Sequence, residues 1–188
     1  MKTTKLQAIN SMLRTVGEAP VDSLASGLLV ADNAEAILTE VTKIICAGTY
    51  SFNRESDVKL YPNTSGEILI PDNVLTMDAT DRNVDVVPRG SKLYDRKNHT
   101  YTFTKPISFD LSYYMDFEEL PEVARQYVMI RATRKFQMLT LGNRELEAYS
   151  AEDEQRAKLA FSQYESDQED SNLFADDPDM AYIVWRNK

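Results

Sequence analysis

The sequence predicts an α+β fold, a four-helix-type bundle carrying an inserted antiparallel β meander or small sandwich. Three observations lead there. Apolar residues recur at helical spacing towards both ends of the chain, and between about Tyr50 and Asp116 they alternate at strand spacing. Turn-forming clusters punctuate the alternating part too closely to leave room for crossover helices.

The first helix is marked by Leu6, Ile9, Leu13 and Val16, a one-sided stripe behind the capping candidates Thr3 and Thr4, with Gly17 and Pro20 closing it. A second runs from about Asp32 to Gly48. Its stripe is Ala34, Ile37, Leu38, Val41, Ile44 and Ile45, and Gly48 is a natural left-handed cap. The period then changes. Val58 and Leu60, Ile68 and Ile70, Val84 and Val86, and above all Ile107, Phe109, Leu111 and Tyr113 alternate as strands do. PNTSG, IPDN, TDRN, PRGS and DRKN separate them as turns.

Helical spacing returns in DFEELPEVARQYVMIRATRKFQML, residues 116–139. Pro121 suits a first turn, and Glu118, Glu119 and Glu122 suit the positive end of a helix dipole. A fourth helix follows in NRELEAYSAEDEQRAKLAFSQYESDQED, with Leu146, Tyr149, Ala157, Ala160, Phe161 and Tyr164 available for packing. This layout assigns residues 1–49 and 117–172 to a discontinuous bundle, 50–116 to the β lobe and 173–188 to a C-terminal docking tail.

Composition restricts what such a chain does. Of its 188 residues 43% are hydrophobic, enough for a proper core. No apolar run approaches the roughly 20 residues of a membrane span. MKTTKLQAIN lacks the apolar centre of a signal peptide, so synthesis in the cytosol and no membrane insertion are expected. Cys46 is the only cysteine and falls in the helical VTKIICAG, which predicts a buried, unreactive thiol. The net charge of −9 is concentrated: Asn143–Asp179 holds three basic residues against twelve acidic ones, and the remainder is balanced. Such a segment repels phosphate. That argues against a sequence-reading nucleic-acid binder but not against a wall that DNA slides past.

The chemistry-bearing residues are sparse. His99 is the only histidine and lies in the turn-like RKNHTY, so neither a histidine triad nor a multi-histidine metal site has material. Gly90 and Gly142 stand alone, which leaves phosphate-cradling loops unsupported. Neighbouring carboxylates such as Glu118 with Glu119, and Glu152 with Asp153 and Glu154, are what 30 acidic residues produce on solvated faces. No catalytic, cofactor-binding or metal-binding residue is assigned, and no cofactor is expected.

Two features call for a partner surface. Arg131, Arg134 and Lys135 share the broad helical face of Leu120, Ala124, Tyr127 and Met138. Long basic stems snorkelling at a core edge account for this, as does ion pairing with another helix or another subunit. The chain end DDPDMAYIVWRNK gathers apolar residues after Pro178, among them Ile183, Val184 and the only tryptophan, Trp185. An exposed segment of that kind is wasteful, so it is expected to dock on its own chain or on a partner.

Several co-linear segments together resemble the tail tubular protein A family of short-tailed bacteriophages. They are the turn VGEAPV, the aromatic-Phe-Asn exit in TYSFN, RGSKLYDR, and LPEVAR leading to ATRKF, within a match of about residues 7–165. The resemblance implies a non-enzymatic virion tail protein. It would form a ring of about twelve copies as an adaptor between the portal protein and the tail nozzle (tail tubular protein B), with the β lobe towards nozzle and tail fibres. DNA would pass through the centre without sequence-specific binding, and the acidic segment would suit the channel wall. The alternative is a virion-associated polysaccharide hydrolase, which needs two carboxylates about 5–10 Å apart in a cleft.

Overall fold

A computed structural model describes residues 2–142 and 144–176, with side chains described except over 144–150 and 169–176. Four helices and five strands follow one another in the order α1 (Lys5–Thr15), α2 (Leu29–Cys46), β1 (Arg54–Leu60), β2 (Val74–Ala79), β3 (Val86–Arg89), β4 (Lys92–Asp95), β5 (Ile107–Tyr113), α3 (Glu122–Leu141) and α4 (Arg144–Asp176). The fold class is α+β. Residues up to Thr42 and from Asp116 onward form one compact unit, and Lys43–Met115 forms another.

In the helical unit, α1 starts where a capping box puts it. Thr4 accepts from Gln7 N–H and the Gln7 side chain answers to the Thr4 N–H. Ala8, Ile9, Met12 and Leu13 are the residues α1 buries. The VGEAPV turn is fastened back onto this helix by a reciprocal pair: Asn10 Nδ2 donates to Val21 O (2.9 Å), and Val21 N–H donates to Asn10 Oδ1 (2.8 Å). α3 packs between α1 and α4 and buries Ala124, Tyr127, Val128, Ala132 and Phe136. Gly142, with φ 62, ends it in the left-handed conformation that glycine adopts without strain.

Three helix expectations need correction. Gly48 was expected as a left-handed cap of α2, but its φ is not positive and α2 ends at Cys46. Ile44 was expected in the packed stripe of α2 but is 47% exposed, whereas Ala34, Leu38 and Val41 are buried. At about 100° per residue Ile44 lies roughly 120° from Leu38, beyond the buried sector. The third helix begins at Glu122 rather than at Asp116. Leu120 precedes a proline and is therefore disfavoured in helical conformation. Residues 116–119 instead close their own turn, Glu119 N–H to Asp116 O at 2.9 Å, and Pro121 (ψ 149) serves as N-cap.

The β unit has one three-stranded antiparallel sheet in the order β1-β5-β2 and a β3-β4 hairpin. The last strand thus enters between the first two, which a meander does not do. Ile68, Leu93, Phe103, Phe109 and Leu111 form the core of the β unit, closed by residues of all five strands. All five turn signals mark turns, while β2 and β4 were not read as strands and Ile68 and Ile70 form only bridge-like contacts around Leu69↔Lys92. The apolar spacing of VLTMDA and KLYD is too short to announce a strand: β4 has only four residues.

The division between Thr42 and Lys43 falls inside α2 because a buried asparagine binds the helix end to the sheet. Asn53 Nδ2 donates to Cys46 O (2.5 Å), Gly48 O (3.3 Å) and Tyr113 O (3.1 Å), and its Oδ1 accepts from Tyr50 N–H (3.1 Å). Cys46 is buried beside it, and burial pushes its thiol up, against a weaker lowering contact at Met115 O.

Candidate functional site

The cationic side of α3 is the surface singled out by the sequence, and its geometry is built from three helices of one unit. Arg134 Nη1 donates to Glu154 Oε2 at 2.7 Å, and Arg131 Nε stands 3.8 Å from the other oxygen of the same carboxylate. Arg131 Nη1 also donates to the Tyr127 hydroxyl (3.2 Å), whose ring stacks on Phe161 of α4 with centroids 5.6 Å apart. Lys135 turns the other way and meets Glu40 of α2 at 2.5 Å. Two cations therefore converge on one acid of α4, and the third ties α3 to α2. The two arginine side chains keep 37% and 32% of their surface open.

Burial shows how these cations sit within their own chain. The sector of α3 that is sealed runs through Ala124, Val128, Ala132 and Phe136, with Arg131, Arg134 and Lys135 half-buried along its flank. They snorkel at the core edge and pair within their own chain. Beside them, α1, α3 and α4 enclose a groove of about 550 Å³ walled by Thr15, Met129, Ile130, Thr133 and Ala157.

The cation that the face analysis passed over is the buried one. Arg125 is 4% exposed and fans its guanidinium over three main-chain carbonyls: Nε to Leu120 O (2.9 Å), Nη1 to Thr3 O (2.7 Å) and Nη2 to Glu118 O. It thereby clamps the start of the chain to the turn that precedes α3. Glu122 completes the latch, accepting from Thr3 N–H (2.8 Å) and Thr3 Oγ1 (2.6 Å), while Gln126 Nε2 bridges Thr3 and Glu122 at 2.8 Å to each. Burial pushes the Glu122 carboxyl up. The bonds from Thr3 and Gln126, with the charge of Arg125, outweigh that and hold it below the usual carboxylate range.

Arg125 and Asn53 both stand in segments that carry the family resemblance, LPEVAR and TYSFN. The fixed spacing from Pro121 to Arg125 is the available signal, since an arginine there reaches back over the turn that the proline forces. In RGSKLYDR, Leu93 enters the β core and Asp95 caps the next turn. The Asn98 N–H first, and its side chain second, hold the Asp95 carboxyl low.

Ile183, Val184 and Trp185 lie outside the described residues. His99 is exposed in its turn, with φ 53. Among the described residues no cluster of three or more histidine, cysteine, aspartate or glutamate side chains is arranged to hold a metal ion, and no helix is long and apolar enough to cross a membrane.

Against known proteins, the family model described as "Tail tubular protein" matches residues 6–171. The chain is also similar to the tail tubular protein A of Klebsiella phage KP34, with 26% identity over 154 residues that make up 82% of each chain.

Proposed function

The chain belongs to the tail tubular protein family, and from that premise we propose that about twelve copies form a ring between the portal of the capsid and the tail nozzle, around a channel for DNA. As a member of that family it is a structural protein of the phage virion tail. The observation that carries the finer reading is that one family match runs through both compact units, from α1 into the last turns of α4. The helical and β units are thus inherited as one assembly part. We assign the portal-facing ring contacts to the helical unit, and the nozzle and tail fibres to the β unit, with synthesis in the host cytoplasm.

In a heterologous ring each copy offers its neighbour a surface complementary to its own opposite side. Arg131 and Arg134 suit such a contact as well as their own-chain one, because about a third of each side chain remains open to solvent. Ile183, Val184 and Trp185 are proposed to dock on a partner. The acid-rich α4 supplies a surface that DNA leaves without sticking.

Native mass measurement of the purified chain, alone and with its cognate portal, tests this reading. The expected result is a closed ring whose mass is an integer multiple of the subunit, formed or stabilised on portal. A chain that stays monomeric in the presence of portal would overturn it.

A further inference from the structure

The three-stranded sheet has two edges, and they are treated differently. β1 is blunted: its register slips between Glu55 and Val58, Asp57 sits at φ 57, and Arg54, Glu55, Asp57 and Lys59 stud the strand. These are the devices that keep a strand edge from pairing with another chain. β2, VLTMDA, carries one charge and is otherwise apolar or neutral.

The outward side of β2 follows from its hydrogen bonds. Thr80 donates its N–H to Ser108 O at 3.1 Å, so the even-numbered residues from Thr76 on face β5. Met77 and Ala79 then turn their N–H and C=O groups to the other side. The opposite parity on β5 agrees, since Tyr113 N–H donates to Asn53 O ahead of β1. β2 has β5 as its sole strand neighbour among the described residues. Along it opens a cleft of about 470 Å³ lined by Ile70, Pro71, Val74, Leu75, Met77 and Pro88, with Asp72 at its side. An edge with outward-facing backbone groups beside a cleft of mixed polar and apolar lining is the geometry of strand addition.

We propose that the β2 edge receives the carboxyl-terminal segment Ala181–Trp185 of a second copy of this chain as an added strand. The inference rests on the ring reading above, and it names the seat of the tail. The segment is aromatic and β-branched, the composition that strands favour. In a strand, Tyr182 and Val184 fall on one face and Ile183 and Trp185 on the other, so either face presents two large apolar groups to the cleft. Arg186 and Lys188 follow at once, and Asp72 offers them an opposite charge. In a heterologous ring the tail of each copy and the edge of the next repeat identically around the circle.

Trp185 is the chain's only tryptophan, so its emission reports the tail alone in the full-length protein. The expected result is emission that shifts to the blue and resists acrylamide quenching as concentration drives assembly. Ala79→Pro removes one outward N–H and no bond to β5, and it should abolish that protection while weakening assembly on the order of tenfold. Ile183→Lys with Val184→Lys, one change on each face of the tail strand, should do the same and guards against misfolding of the sheet as the cause. Protection already complete in dilute monomer, protection that needs added portal or nozzle, or protection untouched by Ala79→Pro would each overturn the proposal. Concentration-dependent protection without ring closure would sink the ring reading and leave the strand contact standing. Rings with a fully quenchable tryptophan would do the reverse.

Discussion

Replacing Arg125 by methionine keeps most of the apolar stem and removes the guanidinium, leaving three carbonyls without their donor. The three do not count equally. Leu120 is fully buried, whereas Thr3 is half-buried and Glu118 exposed, so water replaces the donor at the last two. Taking about 2 kcal/mol for the dry carbonyl and roughly 0.5 kcal/mol for each wet one gives about 3 kcal/mol, from which the relief of no longer burying a charge subtracts about a third, leaving ~2 kcal/mol. For a chain of this size that lowers the melting temperature by about 4–8 °C. Far-ultraviolet circular dichroism of the isolated subunit reads the shift. Lysine should not rescue it, because one ammonium does not span three carbonyls set out for a planar fork. A methionine variant that melts with wild type, or a lysine variant indistinguishable from it, would refute the clamp.

Leu38→Asp, at a fully buried position of α2, should cost more than about 4 kcal/mol and abolish soluble expression, while Ile44→Asp should leave the isolated subunit folded. Soluble yield and a cooperative melt of both variants decide it. Reversing Arg131 and Arg134 together to glutamate gathers three carboxylates where one stood, and should destabilise the isolated subunit by about 1–2 kcal/mol, less at high salt. An unchanged melt with assembly lost would give those cations wholly to the neighbouring copy. Glu122 has a folded-state pKa below its unfolded value of about 4.3, so its contribution is present above that pH and disappears as pH falls through the lower, folded value. Glu122→Gln should therefore flatten the loss of stability on acidification, and superimposable acid limbs for the two proteins would show that the latch contributes nothing.

The helices were legible because their packed stripes repeat over several turns: Leu38, Val41 and Ile45 all emerge buried. What escaped were features decided by a single turn or by tertiary pairing. Pro121 was read as part of a helix that begins only after it. β4 has four residues, too few for an alternation to declare itself, and the entry of β5 between β1 and β2 depends on pairing over long separations. Arg131, Arg134 and Lys135 drew attention by standing among apolar neighbours, yet among the described residues the buried cation is Arg125. Periodicity locates faces, and a side chain that bonds main-chain carbonyls obeys no periodicity. The segments of the family resemblance did contain it, as they contained Asn53, because fixed spacing is what a main-chain lock requires.

In the ring proposed above, the electrostatics of α4 would bear on how DNA is treated. Glu152 and Asp153 pair with Arg156 of their own helix, which is already counted among the three bases of Asn143–Asp179. Arg131 and Arg134 come from outside the segment, and together they offset two of its nine excess negative charges at one carboxylate. Pairing with α3 thus leaves the segment strongly acidic. At physiological ionic strength that charge is screened beyond about 8 Å, so it neither steers DNA from afar nor slows its approach. As a wall of the proposed channel it would act only on phosphates that come within contact range. A surface that repels only at contact distance lowers adhesion without opposing transit, which is the electrostatic requirement for a channel through which a polyanion must leave quickly.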